Sequence, residues 1–153
     1  MDKRGAILVV DDDETIRETL AAILEEEGYV VDTAESGKEA LEKSKTGFYN
    51  LALLDIRLPD MEGTQLLAAI REHTPRMVKI ILTGYPSLEN AAEAVNRGAD
   101  GYLIKPVDAG DLLDVIKRHL KKQEAERKYG EKKVAEFIET RVTELGYRPR
   151  SPK

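Results

Sequence analysis

The chain has no cysteine, which removes disulfide bridges and thiolate metal sites from consideration. Its two histidines, His73 and His119, lie far apart in the sequence, so zinc chemistry is not expected either. Long hydrophobic runs are missing as well. The longest are five residues, such as AILVV at 6–10, too short to span a membrane. The start, MDKRGAILVVDDD, places charge directly after its short apolar run and offers no small-residue cleavage site, unlike a secretory signal. A cytoplasmic location is the expectation. Internal repeats and low-complexity tracts are absent too.

What remains is a chain of 153 residues, 41% apolar and 35% charged, enough for one domain with an appendage but not for two full domains. The net charge of −5 hides an asymmetry. Residues 1–116 carry 12 basic and 23 acidic side chains, whereas 117–153 carry 12 basic and 6 acidic. The acidic body argues against a nucleic-acid surface, and the mixed Lys and Glu tail is too short for a usual DNA-binding domain.

Apolar periodicity alternates five times between two patterns over residues 1–120. Strands are expected at 6–10, 29–34, 50–54, 78–82 and 101–104. Between them, apolar residues fall at helical spacing: Ile16, Leu20, Ile23 and Leu24; Leu66, Leu67 and Ile70; Leu112, Leu113, Ile116 and Leu120. Gly28, Gly47 and Gly98 stand where helices or their loops end. Such alternation implies a doubly wound α/β domain with a parallel sheet and helices on both faces. Beyond Leu120, the polar stretch KKQEAERKYGEKK either extends the last helix or breaks it at Gly130. Val134, Phe137, Ile138, Val142 and Leu145 then form one apolar stripe ending at Gly146. The two units expected are 1–120, and 121–153 as a helical extension with a frayed end.

In open α/β sheets, ligands bind beyond the carboxyl ends of the strands. Here the first strand runs into Asp11, Asp12 and Asp13, the third into Asp55, the fourth into Thr83 and the fifth into Lys105 and Pro106. A single Asp there is ordinary turn chemistry, and Asp13 reads equally as a helix cap. Carboxylates, a hydroxyl and an ammonium on one edge are harder to assign to chance. Crowded carboxylates call for a cation, and oxygen ligands suit Mg²⁺. Together these groups fit phosphoryl transfer that leaves an aspartyl phosphate.

LVVDDD, LLDIRLPDMEG, ILTG and YLIKPV, in this order, resemble the receiver domain of bacterial two-component response regulators over roughly residues 5–120. The resemblance implies a flavodoxin-like five-stranded sheet of order 2-1-3-4-5. It also implies that Asp55 is the phosphoacceptor. Mg²⁺ would be held by Asp12 directly, Asp11 through water, Asp55, and the main-chain carbonyl of Arg57. Thr83 and the Gly84 amide would hold the phosphoryl group and Lys105 would pair with it, the Lys105–Pro106 peptide being cis. Thr83 and Tyr102 would form the switch, although the commoner role for such a tyrosine is ordinary half-core packing. Arg57 and Tyr85, large groups at variable positions, would tune the phosphoryl lifetime. The implied partners are a sensor histidine kinase or phosphotransfer protein and a downstream protein that the sequence does not identify. The chain would be a regulatory phosphoacceptor, not an enzyme, with no membrane and no direct nucleic-acid contact.

One rival shares the motif. VVDDDET also fits haloacid-dehalogenase-like phosphohydrolases, with Asp11 as nucleophile, Asp13 as general acid and Thr83 and Lys105 as later motifs. That family needs a late acidic pair after a further strand, whereas Asp108, Asp111 and Asp114 follow Lys105 with no strand between, and Asp55 would have no role. For the extension, Gly130 allows a fold-back onto the domain, and a homodimer through the helix is the other outcome. No strict heptad seam runs through 121–133.

Overall fold

The computed structural model describes residues 5–144. Five strands, β1 (Ala6–Val10), β2 (Val30–Ala34), β3 (Leu51–Asp55), β4 (Val78–Thr83) and β5 (Gly101–Ile104), alternate with α1 (Glu14–Glu26), α2 (Gly37–Thr46), α3 (Gly63–His73), α4 (Leu88–Asn96) and α5 (Ala109–Glu144). All strand pairs are parallel and the order is β2-β1-β3-β4-β5, as the resemblance implies. The expected strand bounds were off by a residue: Tyr29 and Asn50 precede their strands, and Asp55 and Thr83 belong to theirs.

Burial follows from this order. The middle strands β3 and β4 are buried at every residue, because helices cover both faces. Along each strand, alternate side chains serve opposite cores. Ile7, Val9, Leu51, Leu53, Ile80 and Leu82 pack with Leu20 and Leu24 of α1 and Leu112 and Ile116 of α5. Leu8, Val10, Ala52, Leu54 and Ile81 pack with Ala40 of α2, Leu66, Leu67 and Ile70 of α3, and Ala94 of α4. At about 1.5–3 kcal/mol for each large side chain fully withdrawn from water, these two layers dominate the stability of the sheet.

Gly28 and Gly98 end α1 and α4 at φ +97° and +103°, the left-handed conformation that suits glycine. Gly47 also caps its helix but is extended, at φ −115°. Among the described residues no helix is long and apolar enough to cross a membrane.

The chain divides into two compact units, 1–120 and 121–153. Gly130 lies inside α5, so of the two outcomes open for this stretch the polar segment extends the last helix. A lone Gly costs about 1 kcal/mol relative to Ala in a helix interior. Ion pairs flank it: Arg127 with Glu124 at 2.6 Å, Arg127 with Glu131, and Lys133 with Glu136 at 3.8 Å. Each adds only a few tenths of a kcal/mol, but they act together to hold the turn. Val134, Phe137 and Ile138 are exposed. Leu145 and Gly146, expected to complete the stripe, lie outside the described residues.

Candidate functional site

The order reverses direction between β1 and β3, and the crevice beyond their carboxyl ends holds the acidic residues. Register does the alignment. Val10 pairs with Leu54, Asp55 with Leu82 and Thr83 with Ile104, so Asp11, Asp55, Thr83 and Lys105 each fall at the same edge. Carboxylate oxygens of Asp11, Asp12 and Asp55 lie within 4.8 Å of one another.

The three successive aspartates have separate environments. Asp11 is fully buried, with Oδ1 accepting the Asp13 amide at 2.9 Å and Oδ2 accepting Lys105 Nζ at 2.8 Å. Asp12 is exposed beside it. Asp13 caps α1 by accepting the Ile16 amide at 3.0 Å, so its carboxylate serves the helix, as the cap reading expects. Asp108 likewise accepts the Asp111 amide at 3.1 Å as α5 begins. The Asp13 carboxylate, which the phosphohydrolase alternative would use as general acid, is thus engaged in a local cap.

Lys105 Nζ stands 3.4 Å from Asp55 Oδ2 and joins the two buried carboxylates. Burial, then the Asp11 charge, raises the Asp55 carboxyl above its ordinary range, against the pull of Lys105 and the Arg57 amide. Burial also works against the Lys105 ammonium, yet the hydrogen bond and charge of Asp11, with Asp55, hold its pKa above the ordinary value. Two carboxylates facing one ammonium, with Asp12 exposed alongside, leave negative charge uncompensated. A hard divalent cation fits that oxygen donor set.

Thr83 is buried, and its Oγ1 accepts the Tyr85 amide at 3.0 Å, which leaves its own proton available to donate. Gly84 is exposed with open space where a Cβ would sit. The Arg57 amide donates to Asp55 Oδ1 at 3.3 Å. Its guanidinium stacks 4.5 Å from the centroid of the Tyr85 ring, bridging the ends of β3 and β4. Tyr102 is half-buried and packs against the α2, α3 and α4 side of the sheet, with its hydroxyl buried and unpartnered among the described residues. The Lys105–Pro106 peptide is cis.

Two residues at the site escaped the sequence reading. Arg17, in the first turns of α1, donates Nη1 to the Asp11 carbonyl at 2.8 Å. Asp60, in the loop after β3, accepts the Gly37 and Lys38 amides at 2.8 Å each. Neither contact has a local sequence signal, since each depends on where a distant or turning segment of backbone arrives.

Residues 7–117 match the family model described as response regulator receiver domain. The chain belongs to the response regulator receiver domain family. Transcriptional regulatory protein ZraR of Escherichia coli strain K12 is 40% identical over 114 residues, 74% of this chain and 26% of ZraR. Acid tolerance regulatory protein ActR of Rhizobium meliloti strain 1021 is 40% identical over 111 residues, 72% of this chain and 57% of ActR. A crystal structure of a CheY-like receiver domain protein from Methanospirillum hungatei JF-1 aligns at TM-score 0.78 and 51% identity, covering 79% of this chain and 97% of that one. The receiver domain thus spans about a quarter of ZraR and somewhat over half of ActR. The phosphohydrolase alternative has no support in these matches.

Proposed function

We propose that this receiver domain is a phosphorylation-dependent switch in which Asp55 takes a phosphoryl group from a phosphohistidine of a sensor histidine kinase or phosphotransfer protein. The observation that carries the reading is the meeting of Asp55, two further carboxylates and the Lys105 ammonium at one sheet edge. An Asp55 carboxylate oxygen attacks phosphorus in line. The O–P bond forms as the donor P–N bond breaks, and its electron pair returns to the imidazole nitrogen. Asp11, Asp12, Asp55 and the Arg57 carbonyl would hold a Mg²⁺ ion, which would supply charge neutralisation for the transferring oxygens. Lys105, kept protonated by its carboxylate partners, pairs with the phosphoryl group, and the Thr83 hydroxyl and Gly84 amide are its neutral donors.

The product adds roughly −1.5 to −2 charge beside a buried threonine. Thr83 turning toward the new oxygens would free the space into which Tyr102 moves, and the altered surface then meets a downstream protein. The Tyr102 hydroxyl, buried and unpaired among the described residues, supports this, because such a group costs about 1–3 kcal/mol where it stands. Hydrolysis of the acyl phosphate is slow self-reversal, so the chain is a regulator rather than an enzyme.

The test is a small acyl-phosphate donor with Mg²⁺, followed by mass spectrometry. One phosphoryl group on Asp55 is expected, and none in Asp55→Asn. An acid-labile phosphoprotein of unchanged stoichiometry in that variant, or modification mapped to Asp11, would overturn the assignment.

A further inference from the structure

The loop between β3 and α3 reaches back to a helix that precedes it in the chain by some twenty residues. Asp60 Oδ1 accepts the Gly37 amide and Oδ2 the Lys38 amide, both at 2.8 Å. These are the first two N–H groups of α2, and Ser36 Oγ takes the Glu39 amide at 3.1 Å. The helix therefore has its own local cap, and Asp60 supplies a second, remote one. Met61 reinforces it: a Cβ at Gly37 would collide with the Met61 side chain, so the thioether lies directly on the Gly37 backbone.

The loop itself has little slack. Arg57 and Glu62 form an isolated bridge, the Leu58 amide donates to the Met61 carbonyl at 3.3 Å, and the Gly63 amide donates to the Ile56 carbonyl at 2.7 Å. A Cβ at Gly63 would strike the Asp55 carbonyl and Ile56 Cα, so α3 begins hard against the end of β3. The base of this loop is Asp55, its tip is anchored at α2, and Arg57 stands between.

From this geometry we infer that Asp60 is a positioning residue for the acidic site: by tying the loop tip to the first turn of α2, it fixes the Arg57 carbonyl for the cation. The inference rests on the metal reading of the site given above. Because coupling between two sites is reciprocal, a cation bound at the base of the loop also registers at the Gly37 and Lys38 amides, making the first turn of α2 a reporter of the site.

Isothermal calorimetry of Mg²⁺ binding and amide spectra of nitrogen-15-labelled protein test this on the full chain. In the parent, the Gly37 and Lys38 resonances shift as Mg²⁺ saturates. Asp60→Ala loses those shifts and weakens Mg²⁺ by roughly ten-fold, as loss of an outer support does at metal sites. Asp60→Asn, which keeps one acceptor oxygen, falls between and guards against misfolding of the alanine variant. Ser36→Ala removes the local cap, lowers the melting temperature and leaves the Mg²⁺ affinity at the parent value. Parent affinity in both Asp60 variants, or an equal loss in Ser36→Ala, would overturn the positioning role. A parent chain that binds no Mg²⁺ would instead overturn the metal reading itself, and the positioning role with it.

Discussion

The Arg57–Tyr85 contact makes a quantitative prediction about the lifetime of the phosphorylated state. Hydrolysis of an aspartyl phosphate needs water in line with the scissile P–O bond. The Arg57 amide is bonded to Asp55, the Tyr85 amide to Thr83, and their side chains meet 4.5 Å apart across the gap. If this bridge covers the in-line approach, water would reach phosphorus only after it opens. Tyr85 is 66% exposed, so the cation–π contact is worth the lower range, about 0.5–1 kcal/mol. Converted at 1.36 kcal/mol per decade, opening slows hydrolysis by about two- to five-fold. Arg57→Ala and Tyr85→Ala each remove the whole bridge, so each is expected to speed decay by that factor, and the double variant by no more than either single. Decay of phosphoprotein made with a small donor, followed by mass spectrometry or phosphate release, gives the three rates. Effects that multiply in the double variant would mean that the two side chains act as independent bulk, and unchanged rates would remove both from the control of lifetime.

Three further outcomes are expected. Tyr102→Phe removes a buried hydroxyl that has no partner among the described residues and is expected to keep or raise stability in urea, whereas a loss above about 1 kcal/mol would reveal an essential hydrogen bond. Lys79 is a buried ammonium on β4 that donates to the Met77 carbonyl at 2.6 Å and lies 3.8 Å from Asp100. Burial lowers its pKa from 10.5 despite Asp100, so the unfolded chain binds the proton more tightly and stability rises as pH climbs from the folded value toward 10.5. Lys79→Met is expected to flatten that slope and, with Asp100 half-solvated, to gain at most about 1 kcal/mol at neutral pH. A slope retained in denaturant titrations of the variant would assign it to another group. Finally, Tyr129, Val134, Phe137 and Ile138 are exposed on one helix; if this helix forms a homodimer, truncation after Leu120 halves the particle mass in light scattering. An unchanged mass would show that residues 121–153 do not mediate self-association.

The fold was legible because its signals are local. β1 and β3 each hold an unbroken run of apolar residues, and a buried parallel sheet needs little else to be recognised. The edge site was legible for a related reason: parallel strands deliver their carboxyl ends to one side, so a residue at the end of each strand needs only its own strand to be found. What stayed hidden depends on distances between segments. The tie of Asp60 to α2 is one instance, and the stacking of Arg57 on Tyr85 is another. Gly130 left extension and break both open, since a helix-weakening residue weighed alone says nothing of Arg127 and Glu131, which span it.

The DDD run sets the limit of sequence reading most sharply. Its three carboxylates are chemically identical in the sequence, and two different families use different members of such a run. The structure separates them by what each already holds. Asp13 faces the free amides of α1 and is fixed there. Asp11 is buried between Lys105 and the Asp13 amide, so nucleophilic attack from it would first break a charged contact at 2.8 Å. Asp12 remains exposed, able to approach a hydrated cation without giving up a partner of that kind. Asp55, buried at the end of a central strand, keeps the longer 3.4 Å approach to the same ammonium. Of the carboxylates at this edge, Asp55 is buried enough to be protected and held loosely enough to react. That asymmetry of restraint, more than the count of acids, favours it over Asp11 as the group that carries the phosphoryl.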